Sequence, residues 1–204
     1  FHDGSGFYQQ FHQGGNDEFY GNQGFHRTYS GKGENLEAEI SLTFDEAAFG
    51  CDKVITLQET DGNRTLKVHI PAGIDTGQSV RLRGKGHPGI GGGEPGDLLL
   101  KAKVGTKPGY ERKGADVYTT VSIPYTTAAL GGEARVSTLY GDVSCKIKEG
   151  TQSGSKIRLR GKGIVSMKNP NVHGDQYVTV QIQVPRHLNQ QARRKLMEYK
   201  QACG

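Results

Sequence analysis

The residues best placed to do chemistry are cations, repeated as a set. Arg81-Leu82-Arg83-Gly84-Lys85-Gly86 recurs as Arg158-Leu159-Arg160-Gly161-Lys162-Gly163. Arginine and lysine among glycines suggest phosphate binding, and Gly84-Lys85-Gly86-His87-Pro88-Gly89 formally matches G-x-G-x-x-G. A dinucleotide site needs that turn to open a helix whose N-terminus faces the pyrophosphate. Pro88 and the run Gly91-Gly92-Gly93-Glu94-Pro95-Gly96 forbid such a helix, and the second copy continues Ile164-Val165-Ser166 without the third glycine. The nucleotide reading is rejected. Alternation instead places the arginines on the solvent face of a strand, where charges keep an edge soluble, and the glycines at a tight strand exit needing φ > 0.

Other chemistry finds little support. The seven histidines are scattered, with His2, His12 and His26 in the N-terminal stretch and His69, His87, His173 and His187 outside any liganding pattern. Cys51, Cys145 and Cys203 form no Cys-x-x-Cys pair and no disulfide framework, which favours a reducing compartment. There is no Gly-x-Ser-x-Gly elbow and no His-Glu-x-x-His. An enzyme is therefore the weakest class and no cofactor or metal is expected. A carbohydrate-binding sandwich is disfavoured by the absence of Trp. The net charge of +5 is mild and the acids are interspersed, so nucleic-acid binding stays open but is not favoured. No stretch approaches the ~18 apolar residues of a membrane span.

The cations sit in matched surroundings, which makes the chain an internal duplication. Gly73 and Gly77 precede the first hexapeptide and Gly150 and Gly154 the second; Gly96-Asp97 and Gly174-Asp175 then open apolar strands. Ala47-Ala48-Phe49-Gly50 is echoed by Ala128-Ala129-Leu130-Gly131. Residues 1–33 differ: they hold eight glycines and five of the seven phenylalanines, with no aliphatic residue before Leu36. Such a segment cannot build a core and reads as a flexible linker. The chain begins at Phe1 without a methionine, as a fragment does.

Leu36–Leu42 alternates as a strand with one buried face. Thr43 and Glu46 have capping-box spacing before a short helix Asp45–Phe49, which Gly50 ends. Val54–Leu57, an Asp61-Gly62-Asn63 turn, Leu66–Ile70, Val80–Arg83 and Leu98–Val104 complete a first module. Asp116–Ile123, a helix Tyr125–Leu130, Ala134–Ser137, Val143–Ile147, Ile157–Arg160 and Tyr177–Val184 make the second. The expected fold is mainly β: two tandem small, mostly antiparallel sandwiches, each with one short helix. Asn189 caps a C-terminal amphipathic helix Gln190–Gln201, on which Leu188, Ala192, Leu196 and Tyr199 form a narrow apolar stripe. Domains are expected at 1–33, 34–109, 110–186 and 187–204.

The ordered motifs Leu42–Gly50, Ile70–Gly77, Arg81–Gly86, Gly96-Asp97-Leu98, Tyr110–Asp116 and Ala128–Gly132 resemble the C-terminal substrate-binding region of DnaJ-type J-domain cochaperones. The resemblance spans about residues 34–200, and residues 1–33 resemble the family's Gly/Phe-rich linker. It implies capture of unfolded client polypeptide, delivery to a DnaK-type chaperone, a homodimer through the terminal helix (Leu188, Ala192, Leu196, Tyr199) and a cytoplasmic setting. By position, Ile40, Leu42, Ile55, Leu57 and Tyr110 correspond to a hydrophobic client groove. Lys53 corresponds to a basic residue that holds the partner chaperone's acidic tail. Only Gln58–Thr65 stands where class A members insert a cysteine-rich zinc domain, so the chain resembles a zinc-less, class B form. That group includes a curved-DNA-binding member, which keeps a nucleoid-associated role as the alternative. The J domain's His-Pro-Asp is absent, so this chain alone is not expected to stimulate ATP hydrolysis. The family's Arg-Asp-Gly reads Arg112-Lys113-Gly114 here, with a lysine in place of its central acid.

Overall fold

Strand β1 (Leu36–Leu42) turns Leu36, Ala38, Ile40 and Leu42 inward and the acids between them outward, as its alternation dictates. The computed structural model describes residues 30–59 and 62–203; the linker reading of residues 1–29 lies outside these. Helix α1 (Phe44–Phe49) starts one residue earlier than expected, on a complete capping box. The Glu46 N–H donates to Thr43 Oγ1 at 3.2 Å, and the Thr43 N–H donates to Glu46 Oε2 at 2.7 Å. Strands β2 (Cys51–Glu59) and β3 (Gly62–Ile70) pair antiparallel from Cys51 opposite Ile70 to Glu59 opposite Gly62. At the tip, Asp61 of the expected turn lies outside the described residues. Strands β4 (Ser79–Leu82) and β5 (Leu98–Val104) follow.

The remaining elements are β6 (Glu111–Lys113), β7 (Asp116–Pro124), α2 (Tyr125–Leu130), β8 (Gly132–Thr138), β9 (Gly141–Ile147), β10 (Lys156–Leu159), β11 (Val165–Ser166), β12 (Asn169–His173), β13 (Gln176–Gln183) and α3 (Gln190–Cys203). The duplication is plain in the topology. One sheet runs β1-β5-β4 and its counterpart β10-β13-β7-β6; the hairpins β2-β3 and β8-β9 face them. The fold is mainly β, as expected, but one pair in each half, β1 with β5 and β7 with β13, is parallel. A whole hairpin separates the paired strands, and such a crossover is what parallel pairing requires. The first core joins both layers through Ile40, Leu42, Leu57, Val68, Ile70 and Leu100.

The hexapeptides prove structural. Each leaves an edge strand, and its first arginine turns back onto the Asp that opens the neighbouring strand. Arg81 Nε donates to Asp97 Oδ2 at 2.7 Å, and the Gly84 N–H donates to Asp97 Oδ1 at 2.8 Å. Arg158, Gly161 and Asp175 repeat this at 2.7 and 2.8 Å. Arg81 and Arg158 lie on the solvent face as expected, 59% and 54% exposed, and each also serves an acid: Asp97 is buried, and a buried carboxylate needs such donors. Gly84 and Gly161 have φ of 65° and 66°, as expected of a tight exit. Gly96 serves a different need, since a Cβ there would collide with the Glu34 carbonyl of the incoming chain. Its counterpart Gly174 abuts the Ala115 carbonyl in the same way.

The two halves share an apolar joint. Phe44 and Ala48 of α1 pack with Val117 and Ile164, flanked by Tyr110 and Leu139. Arg112 fastens the edge of this joint. Its Nη1 and Nη2 donate to the Ile74 and Gly73 carbonyls at 2.7 and 2.8 Å, and Nε donates to the Gly114 carbonyl at 2.8 Å. Asp75 lies 3.6 Å from Nε. The side chain is only 11% exposed, and burial pulls the guanidinium below its usual pKa.

Candidate functional site

The site is built where two strand edges are left open. β1 is the outer strand of its sheet, and β2 pairs with β3 alone among the described residues. Backbone groups along such edges can pair with an added strand. Between the edges lies the apolar interior of the first half. Lys53 spans the gap, its Nζ donating across to the Ser41 carbonyl at 2.8 Å.

The groove residues expected from the sequence divide by depth. Ile40 and Leu42 are core, 4% and 3% exposed, and Leu57 is 8% exposed. None of the three offers much surface to a client without movement of the strands. Removing one would cost about 2–5 kcal/mol of stability, as for other buried Leu or Ile truncated to Ala. Ile55 is half-buried on the same face. Val54, on the same strand, points the other way and is 65% exposed. Tyr110 is half-buried at the joint, its ring 6.1 Å from Phe44 and beneath the Lys107 ammonium at 5.2 Å. It stands with α1 rather than with β2.

Lys53 does not stand alone. Its ammonium meets both carboxylate oxygens of Glu46 at 3.2 and 3.1 Å. The Thr43 N–H, then the Lys53 ammonium, hold the Glu46 carboxyl below its ordinary pKa. Beside it, Asp45 binds Lys107 at 2.7 and 2.9 Å. Burial, reinforced by the Glu46 charge, pushes the Cys51 thiol up. Among the described residues no group of three or more His, Cys, Asp or Glu could hold a metal ion, and no helix is long and apolar enough to cross a membrane.

The second surface lies at α3. Its expected cap is present, with the Ala192 N–H donating to Asn189 Oδ1 at 2.7 Å. The helix runs on to Cys203 and buries none of its side chains. A groove of about 1360 Å³ separates it from the second half, lined by Tyr125, Leu130, Val184, Leu188, Leu196 and Tyr199. Leu188, Ala192, Leu196 and Tyr199 all line this groove, which brings the expected stripe together on one face.

Residues 36–185 match the family model described as DnaJ C terminal domain. The chain belongs to the DnaJ C-terminal domain family. Its relatives include proteins named Chaperone protein DnaJ. That of Lachnospira eligens is 45% identical over 139 residues, covering 68% of this chain and 37% of the relative. That of Burkholderia thailandensis is 47% identical over 141 residues, 69% of this chain and 37% of the relative. That of Clostridium botulinum is 44% identical over 141 residues, 69% and 38%. The alignments thus span well under half the length of these DnaJ relatives. For Glu46, Arg112, Asp97 and Asp175 of this DnaJ C-terminal region, sequence reasoning gave a helix cap, a motif position and two strand openings, but not their contacts with Lys53, with the Gly73 and Ile74 carbonyls and with the two arginines. The Arg–Asp pairs had a signal, because the same acid follows the same arginine in both repeats at 16 and 17 residues.

Proposed function

We propose that this chain is the client-binding part of a zinc-less DnaJ-type cochaperone. It captures unfolded, apolar polypeptide along the open edges of β1 and β2 and delivers it to a DnaK-type chaperone. The single observation that carries the reading is the pair of strand edges, left unpaired among the described residues, that flank an apolar interior, in a chain of the DnaJ C-terminal family. An extended client adds main-chain hydrogen bonds to an edge and sets alternate side chains against Val54 and Ile55. On this reading residues 34–109 bind client, 110–186 brace them, and 187–204 join two protomers through the α3 groove. Lys53 meets the acidic tail of the partner chaperone. Catalysis plays no part. DNA binding, the alternative that rested on the resemblance to a curved-DNA-binding member, is less well supported, because Arg81 and Arg158 are already engaged by Asp97 and Asp175.

The test is suppression of aggregation of a denatured protein by the chain and by a Val54→Asp, Ile55→Ser variant. Both sites are at least partly exposed, so the variant keeps its fold by circular dichroism. Suppression is expected to fall severalfold. A folded variant that protects as well as the parent would remove β2 from the client site.

A further inference from the structure

Lys53 has no donor to spare. An ammonium has three N–H donors and accepts nothing. Here the donors meet three oxygens, the Ser41 carbonyl at 2.8 Å and the two Glu46 carboxylate oxygens at 3.2 and 3.1 Å. The next cation along, Lys107, is likewise held by both oxygens of Asp45 at 2.7 and 2.9 Å. The Lys53–Glu46 pair is about one-third exposed on each side, so a carboxylate from solvent can reach it.

We propose that Glu46 is a built-in competitor for Lys53: an acidic chain terminus binds here only by displacing the Glu46 carboxylate from the ammonium. This rests on the reading of Lys53 as a tail-binding cation and adds how that site is held in check. Displacement does not require α1 to unwind. The Thr43 N–H needs one Glu46 oxygen, and the other half of the capping box, Glu46 N–H to Thr43 Oγ1, does not use the Glu46 side chain at all. Two carboxylates sharing one ammonium repel each other, so the resident acid lowers affinity for the incoming one. Glutamine closes a capping box as glutamate does but carries no charge. Glu46→Gln therefore removes the competitor and keeps the helix start.

The experiment titrates the full chain with a synthetic hexapeptide ending in two aspartates and a free carboxylate, at low salt. A C-amidated version with asparagines is the control. Glu46→Gln is expected to bind the acidic peptide about two- to fivefold tighter, the worth of one partly exposed ion pair, with its melting temperature lowered by only a few degrees, because the lost ion pair is partly exposed. Lys53→Ala is expected to lose binding, and the double variant to gain nothing from the glutamine. Unchanged or weaker binding by Glu46→Gln, with Lys53→Ala still abolishing it, would overturn the competitor while leaving the tail site. Full binding by Lys53→Ala would overturn the tail reading and the competitor with it.

Discussion

Replacing Arg112 with alanine tests how the halves are joined. Its guanidinium donates three hydrogen bonds to main-chain carbonyls, two from the first half (Gly73, Ile74) and one from the second (Gly114). A hydrogen bond from a charged group contributes about 1.5–3 kcal/mol, and a carbonyl left dry costs about 1–3 kcal/mol. Water reaches part of the vacated site, so about 3–4 kcal/mol overall is the reasonable expectation. For a folded region of this size each kcal/mol moves the midpoint by about 2–4 °C, giving a shift on the order of 10 °C. Because the lost bonds lie at the joint, the loss also uncouples the halves. Calorimetry is expected to show one transition in the parent and two in Arg112→Ala. Arg112→Lys is expected to rescue little, since an ammonium cannot span three carbonyls as a planar fork does. A single transition within about 2 °C of the parent would refute the joint.

Two further outcomes follow from named contacts. The Gly84 N–H, then the Arg81 guanidinium, hold the Asp97 carboxyl below its ordinary pKa, as Gly161 and Arg158 do for Asp175. A carboxylate depressed in the folded state contributes stability that is whole above about pH 4 and is lost as pH falls through the depressed value. Melting temperature against pH should therefore drop below pH 4 in the parent and less steeply in Asp97→Asn; identical acid branches would contradict this. Deletion from Gln190 should convert a sedimenting species of twice 22.1 kDa to a monomer, and a monomeric parent would dismiss the α3 groove as a dimer surface.

What the sequence showed was mostly local. The alternation of Leu36–Leu42, the Thr43–Glu46 capping box and the Asn189 cap involve residues within a few positions, so their geometry follows from spacing. Non-local features were hidden. The parallel pairing of β1 with β5 joins strands whose registered residues are 62 positions apart, Leu36 with Leu98. Period-two alternation identified the face shared by Ile55 and Leu57 but not the depth of Ile40 and Leu42, which depends on the opposing sheet. The β11-β12 hairpin and β6 escaped because β6 is three residues long and the polar β12 is exposed throughout. The twin hexapeptides were visible at once, yet their role needed Asp97 and Asp175 brought back beside them.

The most direct test of the central claim is amide hydrogen exchange with and without a saturating extended apolar peptide. Slowed exchange is expected in Leu36–Leu42 and Cys51–Glu59, with β8 and β9 of the second half unchanged. Protection confined to the second half or to the α3 groove, with β1 and β2 unaffected, would contradict capture of clients at the open strand edges.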